Sequence, residues 1–142
     1  MTPILKSAFP NLETEGYQET SPASGKYNCI AWAAGVTSEW WWPDPNGAYP
    51  WPAGVPRAVT IDAFLQAFAT QGFQSCETSD LETGFEKIAI FSLQGKPTHA
   101  ARQLPDGLWS SKLGKYLDIT HGLQGLEGPV YGKATHFMKR AV

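Results

Sequence analysis

From Glu86 onward the chain alternates short apolar runs with strong turn signals, which commits its second half to an antiparallel sheet. Lys87–Leu93 is apolar enough for a buried strand, Gln94-Gly95-Lys96-Pro97 supplies a turn, and Thr98–Leu104 reads as the next strand. Pro105-Asp106-Gly107 is a hairpin signal, after which Leu108–Leu113 returns and Gly114 breaks the pattern. Tyr116–His121 and Val130–Lys139 complete the sheet expected over 86–139. Residues 36–59 cannot extend it. They hold five prolines and four tryptophans, a density that excludes regular helix or a central strand.

Two helical patterns flank that loop. In the first, over 28–34, Asn28 is the natural N-cap, Ala31, Ala33 and Ala34 favour helix, Trp32 gives it something to bury, and Gly35 stops it. In the second, over 61–71, Thr60 caps, Ile61, Phe64, Leu65 and Phe68 form one apolar face, and Gly72 ends the run. Residues 1–26 read as an extended arm in which Tyr17-Gln18-Glu19-Thr20 is the one plausible strand. The expectation is a single α+β domain over 1–142, with the cysteine helix and a second helix packed on the sheet. A chain of 142 residues buries about two thirds of its unfolded surface and needs no staples.

Charge narrows the function classes. The formal net charge is −2, with no basic excess to hold phosphates, so no nucleic-acid partner is expected. No segment approaches the roughly 18 apolar residues of a membrane span, and Met1–Ser7 lacks the charged-then-apolar run of a secretory signal. Two cysteines, Cys29 and Cys76, do not make a disulfide framework. A cytoplasmic protein with reduced thiols is the expectation. No CxxC or HxxxH spacing and no glycine-rich phosphate loop is present, so neither metal nor cofactor is expected.

The chemistry centres on Cys29. Free cysteine is among the most buried residue types, and alone it reads as packing. At the first turn of a helix, however, unpaired N–H groups favour the thiolate and lower the thiol pKa. His99, followed by Ala100 and Ala101, leaves room for a helix N-terminus to approach it. In Asp118-Ile119-Thr120-His121, alternation sets Asp118 and Thr120 on one face of a strand and His121 on the other unless the chain bends at Gly122, so their relative placement stays open. His136 reads as a structural strand residue, and Cys76 as packing at the start of a strand. A thiol, a base and a group that orients the base are the parts of nucleophilic cysteine catalysis. Asn28 reads as cap first, with a second reading as an oxyanion donor. Of Trp40-Trp41-Trp42-Pro43, two tryptophans anchor the loop, and a wall beside the cysteine cleft is the functional reading.

The order of Cys29, His99 and the hairpin after it resembles the core of papain-like cysteine peptidases in their compact NlpC-type form. Tyr27-Asn28-Cys29-Ile30-Ala31-Trp32-Ala33, His99-Ala100-Ala101-Arg102 and Ser110-Ser111-Lys112-Leu113-Gly114 also resemble a family of small bacterial proteins. That family shares Trp40-Trp41-Trp42-Pro43 and Tyr49-Pro50-Trp51-Pro52 as well. The resemblance implies a papain-like fold, with Cys29 as nucleophile and His99 as general base. For the third position it leaves His121 first, then Asp118, with Ser111 as a hydrogen-bonding partner. Asn28, Trp41, Trp42 and Ser111 are the expected substrate-side residues. The leading expectation is a cysteine hydrolase or acyl transferase acting on an amide bond of a peptide, amide or protein substrate. Two others stand beside it: a transglutaminase-like deamidating enzyme or toxin using the same residues, and a binding or immunity module without catalysis.

Overall fold

The computed structural model describes residues 8–21, 26–113 and 118–142. Residues 1–7 and 22–25 of the expected arm, the break at Gly114 and the strand start at Tyr116 lie outside them. Three helices are described, α1 (Asn11–Glu15), α2 (Cys29–Ala33) and α3 (Ile61–Ala69). The strands are β1 (Tyr17–Ser21), β2 (Gln74–Cys76), β3 (Phe85–Leu93), β4 (Lys96–Gln103), β5 (Trp109–Lys112), β6 (Asp118–His121) and β7 (Lys133–Ala141). Each strand pairing is antiparallel, in the order β1-β6-β5-β4-β3-β7-β2. The α+β class and both flanking helices follow expectation. Between α2 and α3 the described chain forms no regular element, as its prolines dictate.

The arm is not wholly extended. Phe9 and Leu12, three residues apart, are 5 % and 1 % exposed, and winding Asn11–Glu15 into α1 is what lets both side chains enter the core. Gly16, at φ 82°, then ends the turn in a conformation that favours glycine.

The sheet carries a hydrophobic cluster on each face. Along β3, Ile88 and Ile90 point to one side and Ala89 and Phe91 to the other. The first side is covered by α2, α3 and the Trp/Pro loop, through Ile30, Trp41, Trp51, Phe64 and Phe68. The second is covered by α1 and a 3-10 turn at Leu123–Leu126, and includes Trp109 and Ile119.

A five-residue helix has no stability of its own in water, so α2 forms because of what it touches. Ile30 and Ala31 are fully buried, and burying an isoleucine side chain contributes about 2 kcal/mol. The Asn28 Oδ1 accepts from the Ala31 N–H at 3.1 Å, the expected cap. At the far end Gly35 adopts φ 85° while the Val36 N–H donates to the Ala31 carbonyl at 2.8 Å, closing the helix.

Candidate active site

Helix α2 delivers Cys29 to the floor of a cleft of about 370 Å³, also lined by Asn28, Trp40, Trp42, Tyr49, Thr98 and Tyr131. Cys29 is 8 % exposed. Backbone N–H groups of Ala100, Ile30 and Cys29 itself lie near enough to its sulfur to favour the thiolate. The sulfur therefore sits against the peptide that follows His99. His99 is fully buried on β4, its ring stacked on that of Tyr131 with centroids 4.1 Å apart and edge-on to Phe91 at 5.3 Å. No hydrogen bond joins the Cys29 thiol to His99, and the His99 Nδ1 is buried without a hydrogen-bond partner.

The other ring nitrogen is engaged. His99 Nε2 lies 2.9 Å from Ser111 Oγ on β5, which lies 2.7 Å from His121 Nε2 on β6. His121 Nδ1 in turn lies 2.7 Å from the Gly122 carbonyl oxygen. Strand alternation makes this possible, because the three side chains share the face that carries Trp109 and Ile119.

Asp118 stands apart from this chain. It lies on the other face, paired in register with Lys112, and its Oδ2 accepts from the Tyr27 hydroxyl at 2.8 Å. There it joins Arg102, whose guanidinium lies 3.6 Å from the Trp32 ring centroid, in a polar cluster behind α2. His121 is thus linked to His99 through Ser111, and Asp118 is not linked to it. His136 bonds its neighbour Thr135 on β7.

The tryptophan run divides by direction. Trp41 is 6 % exposed, packs edge-on to Trp51 and donates to Glu39, so it anchors the loop and does not line the cleft. Trp42 lines the cleft while its ring meets Phe64 edge-on at 5.9 Å. Asn28 lines the cleft too, but its side chain binds the Ala31 N–H and both the N–H and carbonyl of Trp41. It straps the loop to the helix. Tyr131 and Trp40 complete the walls and were not among the expected site residues. Tyr131 had one local signal, the glycine pair Gly128 and Gly132 that bends the chain around it.

The electrostatics correct one expectation. Burial raises the Cys29 thiol to about 11, against the three backbone N–H groups and Lys112, which favour the thiolate. A five-residue helix has too small a dipole to offset that desolvation. Burial, then the His121 charge, holds His99 well below 6.5. Burial likewise lowers His121 to about 4, with its bond to Gly122 acting in the opposite direction. At neutral pH thiol and imidazoles are therefore uncharged.

These histidines make stability pH-dependent. The unfolded chain binds protons at both sites as pH falls below about 6.5, whereas the fold resists protonation of His121 until about 4. Stability is full above pH 6.5 and is lost as pH falls toward 4, by about 3 kcal/mol from His121 alone at about 1.4 kcal/mol per pH unit. Thermal unfolding at pH 4.5 is expected about 8 °C below that at pH 7. His121→Gln flattens the dependence. An unchanged slope in that variant contradicts the assignment.

Residues 18–139 match the model of a family described as a domain of unknown function (DUF7689). The chain belongs to that family. No curated protein and no solved structure matches it. The stretch matched by DUF7689 takes in Cys29, His99, Ser111, His121 and Tyr131 and leaves out α1. Among the described residues of this DUF7689 domain no His, Cys, Asp and Glu group is arranged to hold a metal ion, and no helix is long and apolar enough to cross a membrane.

Proposed function

We propose that this DUF7689 domain is a papain-like cysteine hydrolase that cleaves, or transfers across, an amide bond. One observation carries the reading: the buried His99 Nδ1 has no partner, and Cys29, whose thiolate is favoured by the N–H of the very next residue, Ala100, lines an open cleft. A buried acceptor without a donor is costly, and a proton-accepting role in catalysis is one reason a fold keeps one.

With both groups uncharged at rest, the thiol proton moves to His99 Nδ1 as the sulfur attacks the substrate carbonyl. A C–S bond forms, and the oxyanion is met by the Cys29 N–H, which has no intrahelical partner at the first turn. His99 then returns the proton to the departing amine as the C–N bond breaks. A water, deprotonated by His99, releases the acyl group as a carboxylic acid and restores the thiol. Trp40, Trp42, Tyr49 and Tyr131 provide the flat apolar surfaces that hold a peptide, amide or protein substrate over the sulfur. A cytoplasmic, reducing setting belongs to the same reading, since the reaction needs Cys29 as a free thiol.

An activated ester tests the nucleophile without knowledge of the natural substrate. After brief exposure to p-nitrophenyl acetate at pH 7, peptide mapping by mass spectrometry is expected to find the acetyl group on Cys29. Acetyl confined to Cys76 or to lysines refutes the proposal.

A further inference from the structure

The hydrogen bonds running from Gly122 to His99 have a direction, and the direction is fixed at one end. A carbonyl oxygen only accepts, so His121 Nδ1, 2.7 Å from the Gly122 oxygen, carries a hydrogen. In a neutral imidazole the other nitrogen is then an acceptor, and the single Ser111 hydroxyl proton must go to His121 Nε2 across 2.7 Å. Ser111 Oγ is left to accept, which requires a hydrogen on His99 Nε2, 2.9 Å away. His99 Nδ1 is consequently the bare nitrogen, and it is the one without a partner. Ser111 and His121 are 0 % and 2 % exposed, so no bulk water scrambles the order.

We infer that Ser111 and His121 are positioning residues that select the base-competent tautomer of His99, and that protonation of His121 reverses the chain and disables the base. When His121 gains a proton on Nε2, that N–H donates to Ser111 Oγ. The step balances as a relay: His99 Nδ1 takes up the added proton, the His99 Nε2 hydrogen passes to Ser111 Oγ, and the former Ser111 hydrogen passes to His121 Nε2. The new Ser111 hydrogen is left donating to His99 Nε2. His99 is still neutral, yet it has no lone pair at Nδ1 to take the thiol proton.

The groups around His121 set where this happens. Glu15 on α1 places its Oε2 3.6 Å from the position a Cβ would take on Gly122, and Tyr17 on β1 is the register partner of His121. His99 lies beyond Ser111, with Tyr131 stacked on it. Burial keeps the reversal on the acid side, with His121 at about 4.

The inference rests on the Cys29–His99 reading only for its effect on rate; the tautomer is a property of the fold and is measured separately. Nitrogen-15 NMR of histidine-labelled protein at pH 7 is expected to show His99 protonated on Nε2 and His121 on Nδ1. Ser111→Ala is expected to lose the single His99 tautomer and to slow Cys29 acetylation by about tenfold to a hundredfold, and Ser111→Thr to recover the tautomer and most of the rate. His121→Gln keeps an acceptor for Ser111 but cannot titrate. It is expected to lose the acid fall in acetylation rate across the pH range in which circular dichroism shows both proteins folded. A His99 Nδ1–H tautomer at pH 7, or an unchanged acid limb in His121→Gln, overturns the inference. Should the tautomers hold while Cys29 is not acetylated, the hydrolase proposal fails and the hydrogen-bond order stands.

Discussion

Replacing Gly132 by alanine is expected to destabilise the domain by about 2–4 kcal/mol, the sum of overpacking and a left-handed backbone conformation. Gly132 sits at φ 76°, and a Cβ added there falls 1.9 Å from the Ser92 carbonyl oxygen and 2.8 Å from its carbon. Those are backbone atoms of β3, held in the sheet, and they cannot swing aside as a side-chain tip would. The close approach also positions the site. Gly132 and Gly128 exchange backbone hydrogen bonds of 2.8 and 3.0 Å, and the Tyr131 carbonyl accepts from Thr98 Oγ1 at 2.6 Å, which together hold the Tyr131 ring on His99. Gly95 provides the comparison, with φ 80° and nothing within 4 Å of its added Cβ. Gly95→Ala is expected to cost only about 1 kcal/mol from its backbone conformation. Urea unfolding of the two variants separates the effects, and equal losses contradict the argument.

How much of this could be read from the sequence depends on whether each feature is local. Helix α2 was legible because its cap, its alanines and Gly35 are adjacent, and the structure uses each as expected. Phe64 and Phe68 declared the buried face of α3 through spacing alone. Alternation named opposite faces for Asp118 and His121, but a bend at Gly122 left the choice open in the sequence; the strand pairing sets them on opposite faces.

Tyr131 was not legible in the same way. Its place over His99 depends on a loop that returns across β4 and bonds Thr98, 33 residues earlier. Trp41 and Trp42 are neighbours of the same type, and only the packing of Trp51 and Phe64 decides which is anchor and which is wall. The thiol's acidity failed for a related reason. Its position at a helix start is written locally, but the burial that raises it to about 11 comes from the whole fold. Helix α1 was hidden because its five residues carry no repeating apolar face, and only Phe9 and Leu12 reach the core.

The second large effect concerns His99 and separates a working pair from a thiol and an imidazole that act independently. If His99 Nδ1 takes the Cys29 proton, removing the base leaves a buried thiol raised to about 11, with almost no thiolate at pH 7. General-base assistance contributes about a hundredfold to ten-thousandfold, so His99→Gln is expected to slow Cys29 acylation by at least about a hundredfold. Glutamine keeps polar atoms within the buried site, and near-ultraviolet circular dichroism checks that the aromatic packing around Tyr131 survives. Cys76, partly exposed and with its thiol donating to the nearby Thr78 carbonyl, is the internal reference in the same tube. The decisive measurement is therefore the rate of acetylation of each cysteine by p-nitrophenyl acetate at pH 7, in the wild type and in folded His99→Gln. The hydrolase account predicts that Cys29 outpaces Cys76 in the wild type and that the substitution slows Cys29 at least about a hundredfold with Cys76 unchanged. Equal rates at Cys29 with and without His99 contradict it.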